Sequence, residues 1–266
     1  MRVTWWEGGV ILPNVSICND DASTVYYNPL VIQPNNEIWY TSTDGNIVEL
    51  NTYYKGPQPN SNEYVDGKGI MVFENDLTSI GESAFSKRNN LASINIPNSV
   101  TSIEIYAFYQ SSGLTSVTIP NGVTSIGIWA FGSSKDLTSI NIPNSVTSIE
   151  SCAFRFCDNL PIENGIRYAD TYLVDAVSKN QTSYQIKEGT RFIGSFAFSG
   201  CTSLTSFTIP DSVTSIEDYA FKYCSSLTSI TYNGTISQWN NITKGQYWKL
   251  YVPATVVQCS DGSAPL

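Results

Sequence analysis

The chain has 266 residues, enough for a large core, with a formal net charge of −9 and only 14% charged residues. An acidic chain without a basic cluster is a poor partner for nucleic acid or anionic lipid. Histidine is absent, which removes the commonest general base and the commonest metal ligand together.

No apolar run approaches the roughly 18 residues of a membrane span. Glu7 and Pro13 interrupt any signal-peptide core at the start. Either an export signal has been removed, or the protein is cytosolic. Residues 1–36 are rich in Trp, Tyr and Ile, which argues against disorder. Glu37–Thr41 and Asn46–Leu50 flank Asp44-Gly45 and predict a hairpin. Residues Tyr53 to Glu63, rich in Pro, Asn and Gly, predict a loop. Met71 and Phe73 then fit the inward strand positions of an incomplete first coil.

From Leu77 to Leu227 the chain repeats. Ala-Phe recurs at Ala84-Phe85, Ala107-Phe108, Ala130-Phe131, Ala153-Phe154, Ala197-Phe198 and Ala220-Phe221, in steps of 23, 23, 23, 44 and 23 residues. A period of this size means a solenoid, because no single coil can bury its apolar face alone. Leu114 to Asp136 serves as the specimen. Val117 and Ile119 alternate as a strand with one buried face. Pro120-Asn121-Gly122 is a turn. Val123 and Ile126 begin a second short extended segment. Ala130-Phe131 follows on a single helical or 3₁₀ turn, with Phe131 filling the interior. Stacking places like residues over like at about 4.8 Å.

The 44-residue step is one coil plus 21 residues, inserted between Leu160 and Gln181. Ile166–Val174 reads as two short strands around a tight turn, a hairpin projecting from the stack. Beyond the repeats, Ile236, Trp239 and Ile242 share one face of a short helix, with Thr235 as its N-cap. Trp248, Tyr251, Val256 and Val257 are expected to cover the last coil. The expected divisions are an N-terminal cap at 1–69, a solenoid at 70–232 with its insertion at about 161–181, and a C-terminal cap at 233–266.

The pattern L-x-x-I-x-I-P-x-x-V-T-S-I-x-x-x-A-F-x-x-C resembles the BspA-like, or treponemal-type, leucine-rich repeat. The resemblance covers Leu77 to Ile230 and extends to Asn36–Ser42, Tyr232–Thr235 and Cys259–Gly262. It implies a surface or secreted protein of host-associated anaerobic bacteria that binds matrix proteins, other cells or glycans. It supplies no shared catalytic motif. The expected fold is thus a β-rich leucine-rich-repeat solenoid. It is a right-handed stack of about six 23-residue coils with short helical or 3₁₀ turns and non-repeat caps.

Of the six cysteines, Cys157, Cys201 and Cys224 share one repeat position, held elsewhere by Arg88, Ser111 and Ser134. They read as small apolar fillers, with a Cys201–Cys224 disulfide as the other reading. None of the six has the spacing of a zinc or redox pair. Glu104, Glu150 and Glu217 also share a repeat position, so they read as structural rather than as a glycosidase pair. Ser and Thr lack an activating base and a nucleophile elbow. No catalytic, metal or cofactor residue is therefore expected.

The outward strand residues form a flat, uncharged hydroxyl surface. They are Thr115, Ser116 and Thr118; Thr138, Ser139 and Asn141; Thr205, Ser206 and Thr208; and Thr228, Ser229 and Thr231. Such a row either keeps an exposed sheet soluble or hydrogen-bonds a partner. A second stripe, Tyr106, Trp129, Phe196 and Tyr219, precedes each Ala; it reads as half-buried packing or as a platform for sugars. The functional expectation is an extracellular or cell-surface monomer that binds a protein or glycan through the strand face. A polysaccharide-active solenoid enzyme and a passive spacer are the alternatives.

Overall fold

A computed structural model describes residues 11–15 and 27–266. Most of the first 36 residues, and Cys18 with them, lie outside that range, apart from Ile11–Val15 paired antiparallel with Tyr27–Val31. The rest is a β-solenoid of about eight turns with one short helix.

Each coil has three sides. On the first, Leu91–Asn95, Ser116–Thr118 and Ser139–Asn141 pair in parallel, with Val117 opposite both Ile94 and Ile140. On the second, the Ser-Ile pairs at 79–80, 102–103, 125–126 and 148–149 form a parallel ladder. The register follows the 23-residue step, so each buried aliphatic lies over its equivalent.

The third side carries the Ala-Phe segment as a run of turns rather than a helical turn. The residue before Ala and the second residue after Phe have left-handed φ: 59° at Tyr106, 57° at Gln110, 54° at Trp129 and 60° at Ser133. Alternate amides then point along the solenoid axis. The N–H groups of Tyr106, Phe108 and Gln110 donate to the carbonyls of Ile128, Ala130 and Gly132 in the next coil, at 2.7–3.0 Å. Those of Ala107, Tyr109 and Ser111 donate within their own coil. A helix would satisfy its amides internally and leave nothing to join neighbouring coils. Inside this side, Phe85, Phe108, Phe131 and Phe154 stack with centroids 5.5, 5.0 and 5.3 Å apart and planes within 8°.

The inserted hairpin does not project. Ile166–Ala169 and Tyr172–Ala176 pair antiparallel, and Tyr172–Ala176 then pairs in parallel with Phe192–Ile193. It occupies the second-side slot of a coil that is otherwise missing. Ile166, Tyr168, Ala169, Tyr172, Leu173, Val174 and Ala176 are all buried. Seven such side chains on a projecting hairpin would expose apolar surface that each loses roughly 1.5–3 kcal/mol by staying wet, so the segment is laid into the stack. The core consequently divides into two clusters, one running from Ile38 to Phe192 and one from Ile166 to Ala264. Arg191 bridges the interruption. It takes the place of Thr101, Thr124, Thr147 and Thr214, and its guanidinium donates to the carbonyls of Pro143 and Val146 at 3.3 and 2.6 Å.

The ends depart further from expectation. Glu37–Ser42 pairs antiparallel with Leu91–Asn95 on one edge and with Lys68–Val72 on the other. No hairpin forms about Asp44-Gly45, and 46–50 contributes no strand. Val48 instead turns into the core, its N–H donating to the Tyr40 hydroxyl. The hairpin turn is Asp66-Gly67, with φ of 51° and 79°, the positive pair that a two-residue loop needs. Its first strand, Ser61–Val65, takes the end of the expected loop. Met71 and Phe73 are buried as expected, but Glu37–Ser42 holds the slot of the first coil.

At the other end, Thr235 caps the helix Ile236–Asn241 in a capping box with Gln238, and Trp239 is buried. Trp248 and Val257 cover the last coil, whereas Tyr251 and Val256 remain exposed. The antiparallel pair Val256–Cys259 and Gly262–Pro265 closes the sheet. Both ends of the first side thus finish in antiparallel strands, which hide the open parallel edge.

Phe131 lies between two stacked rings and is fully buried. Phe131→Ala should cost about 3–5 kcal/mol in equilibrium denaturation; a loss under about 1 kcal/mol would mean that the ring column contributes little.

Candidate functional site

The outward residues of the first side stand where the pleat puts them. Thr115, Ser116, Thr118, Thr138, Ser139, Asn141, Thr205, Ser206, Thr208, Thr228 and Ser229 are exposed, and Thr231 is half-buried. They do not form one continuous face. The strands of 116–118 and 139–141 belong to one sheet, and those of 206–209 and 229–232 to another. The inserted hairpin separates them. It leaves a notch of about 140 Å³ in which Thr138 and Ser139 face Tyr168, Asp170 and Lys187. The insertion's apolar alternation, at Ile166, Tyr168, Tyr172 and Val174, was the signal that it packs inward.

The hydroxyls are not equivalent. Thr115, Thr138 and Thr205 each donate to the carbonyl 23 residues earlier, on Ala92, Thr115 and Thr182, at 3.1–3.2 Å. Their donors serve the stack. Ser116, Thr118, Ser139, Asn141, Ser206 and Thr208 make no side-chain hydrogen bond among the described residues, so their polar groups face solvent unspent.

The Ser/Cys position has a chemical reason beyond size. Ser111, Ser134, Cys157 and Cys224 donate to the carbonyl of the core Phe one coil earlier, on Phe85, Phe108, Phe131 and Phe198. At these four positions the residue is small and carries a donor, which thiol and hydroxyl share, whereas Arg88 in the first coil donates to the Leu50 carbonyl and Cys201 contacts the Tyr184 hydroxyl. This corrects the apolar-filler reading. Cys152, Cys157, Cys201 and Cys224 are buried free thiols, and Cys259 is half-buried. Burial pushes Cys157 up to about 12. Contact with the Cys201 thiol, then burial, holds Cys224 well above its ordinary value.

Two of the repeat carboxylates serve their own coils, and Glu150 ties its coil to the one before. Ser102 donates to Glu104 at 2.6 Å, Ser215 to Glu217 at 2.9 Å, and the Ile128 amide to Glu150 at 3.1 Å. Burial raises Glu217 to about 7, with repulsion from Asp218 and Glu150 adding to it and the Ser215 hydroxyl opposing. Glu217 lies beside a polar seam at the interruption, where the Ser151 and Ser195 hydroxyls meet at 2.9 Å. Tyr172 and Cys152 pack into the same seam and are almost wholly buried.

The aromatic stripe is half-buried, as expected. Phe196 stacks on Tyr219 at 5.0 Å and Tyr219 on Tyr247 at 5.6 Å, both at 19°. Rings stacked along the axis cover one another's faces, so this C-terminal part offers only edges to a sugar. Arg155 spans the interruption, 4.8 Å over both Phe156 and Phe196.

The BspA type leucine-rich repeat region matches residues 70–168 and 176–246 in six copies. The chain belongs to that family. The gap between the two stretches falls inside the buried hairpin. Three solved structures are similar. A leucine-rich cell surface protein from Faecalibacterium prausnitzii is 28% identical over 63% of this chain and 60% of its own, with a TM-score of 0.29. A leucine-rich repeat protein of T. pallidum is 22% identical over 63% of this chain and 73% of its own, at 0.34. One from Bacteroides ovatus is 17% identical over 96% of this chain and 72% of its own, at 0.37. The chain thus spans less than two thirds of the length of the F. prausnitzii protein. No curated protein sequence matches the chain. Among the described residues, no helix is long and apolar enough to cross a membrane.

Two predictions follow from these side chains. Cys157→Ser keeps the donor and should stay closer to the parent than Cys157→Ala, which leaves the Phe131 carbonyl with the Ser134 amide alone and should cost about 0.5–1.5 kcal/mol for the lost bond. Chemical denaturation of both variants checks this, and iodoacetamide should label Cys157 only after unfolding. The folded pKa of Glu217, about 7, lies above its unfolded value of about 4.3. The folded state therefore binds the extra proton between those values, and this group's contribution to stability falls as pH rises through that window. Glu217→Gln should flatten the fall in Tm between pH 5 and pH 8 and raise Tm at pH 8; a parallel profile would show that Glu217 titrates normally.

Proposed function

We propose that this protein is a non-catalytic binding or adhesion module. On this reading it works at the cell surface or outside the cell, as a monomer, and contacts a macromolecule through the outward residues of its first side. The observation that carries the reading is the row of exposed polar groups left unspent by the stack: Ser116 and Thr118, Ser139 and Asn141, Ser206 and Thr208. Their backbones are fixed by parallel pairing on one or both flanks. Hydroxyls and amides in a rigid row can bond a partner at a lower desolvation cost than ions. The F. prausnitzii relative is a cell surface protein, which is consistent with the same setting here. Family members are repeat proteins built for contact area, and the repeat-locked carboxylates of this chain support binding over hydrolysis.

The division of the face makes the proposal specific. Contact centres on the 116–118 and 139–141 strands beside the hairpin notch, with 206–208 as a separate patch. The outward pair Thr118→Lys and Asn141→Lys should abolish capture of the partner, found by screening matrix proteins and glycans, while shifting Tm by less than about 2 °C because the inward ladder is untouched. Persistent binding by a folded double variant would overturn the strand-face assignment.

A further inference from the structure

The turn side meets the first side at a corner, and along that corner four successive coils frame a groove of about 770 Å³. One wall is the second residue after each core Phe: Lys87, Gln110, Ser133 and Phe156. The other wall is the fourth residue after each Phe, where the Asn89 carboxamide accepts from the Ser112 hydroxyl at 2.9 Å. Lys135 and Asp158 follow on that wall and oppose each other in charge. At its N-terminal end the groove shares Lys87 with a second concavity of about 200 Å³ walled by Tyr53, Tyr106 and Tyr109. The two adjoin at Lys87, and the larger is a channel along the axis lined by amides, hydroxyls and ammonium groups, with Phe156 at its C-terminal end.

The fold accounts for the shape of this channel but not for its chemistry. The first wall has φ of 60°, 57°, 60° and 62°, which turns its side chains away from the core. Its amides are fixed: those of Lys87, Gln110 and Ser133 donate to the next coil at 2.8, 2.9 and 2.7 Å. The same position accepts Gly200 and Tyr223 in later coils, so the stack needs only the left-handed backbone there. Phe156 nevertheless places half its surface in water, and Tyr53 is 78% exposed. Phe156 carries Arg155 over its ring and lies 6.0 Å from Trp129, and the surface it leaves in water gives the groove an apolar contact area.

We propose that this channel binds a neutral glycan chain lying along the solenoid axis. Sugar rings present apolar C–H faces that pack on aromatic faces, and hydroxyls that both donate and accept. Gln110, Asn89, Ser133 and Ser112 do the same. The lysines are offset in part by Asp158, so the channel does not select strongly for an anion. It lacks the dry, deep pocket in which a protein anchor residue is fully desolvated. Three coil steps of about 4.8 Å give a floor of roughly 14 Å, long enough for several sugar units. The walls are pre-ordered by the turn ladder, which lowers the entropy lost on binding. This inference is independent of the strand-face proposal, because the two surfaces share no residue.

The test titrates the intact protein calorimetrically with cellohexaose, xylohexaose and mannohexaose, and with hexagalacturonate as the charged counterpart. At least one neutral hexasaccharide should bind. Phe156→Gln and Gln110→Ala should each weaken it about tenfold or more. Melting temperature should hold for both, since Gln and small polar residues already occupy that position in other coils. The Thr118→Lys, Asn141→Lys pair should leave glycan affinity unchanged, so loss of a strand-face partner and loss of glycan read out separately. No binding by any of the three neutral chains, binding of hexagalacturonate alone, or glycan affinity that ignores both groove substitutions would overturn the proposal.

Discussion

The structure depends on the alternation of left-handed and right-handed residues on the turn side. A left-handed φ costs a non-glycine residue roughly 1–2 kcal/mol, and each complete coil adopts it twice, with glycine relieving the cost only at Gly200. The return is that every second amide becomes available to the next coil, and the Phe between them points inward. With that geometry in place, Phe108 can stack flat on Phe131, and the Ser/Cys hydroxyl or thiol can reach the carbonyl of the Phe below. The parallel ladders on the other two sides are short, some of only two residues. The turn ladder adds inter-coil hydrogen bonds on the side where no strand pairs.

The interruption by the hairpin shows how strict that arrangement is. Phe154 and Phe198 sit at equivalent positions but do not stack; Tyr172 and Phe192 fill the space between their columns. The residues that depart from the repeat gather here. Arg191 replaces a ladder Thr because a long side chain is needed to reach carbonyls that no longer sit directly beneath it. Cys152 replaces an aromatic because its neighbour is the hairpin rather than another coil. Ser195 is buried and is satisfied by Ser151 across the break. Together they seal a discontinuity with hydrogen bonds where stacking fails.

The coil itself was legible in the sequence, because six periodic positions fix burial and register together. Thr235 and the helix face of Ile236, Trp239 and Ile242 were legible too, since capping and amphipathic spacing are local. What escaped was non-local or depended on the backbone. Asp44-Gly45 and Asp66-Gly67 are the same dipeptide; only the pairing of Glu37–Ser42 with a distant strand decides which one turns a hairpin. The left-handed positions were hidden because Tyr, Trp, Gln and Lys occupy them, residues that carry no signal for positive φ. The corner groove was hidden for the same reason. Its residues look like unremarkable surface until the turn geometry aligns them.

The division of the core into two clusters has a consequence for cooperativity. A stack of identical coils behaves as a one-dimensional chain in which each unit is stabilised by its neighbours, so a single seam decides whether it melts as one block or two. Here the seam swaps flat ring stacking for tilted rings at Tyr172 and for directional contacts: Arg191 to the Val146 carbonyl, the Ile142 amide to the Asp170 carboxylate, and Ser151 with Ser195. Those contacts tolerate little change of geometry, whereas either flanking block can lose or gain a whole 23-residue unit without altering its own interfaces. The seam therefore acts as a fixed reference point from which the two arms can be lengthened or shortened independently.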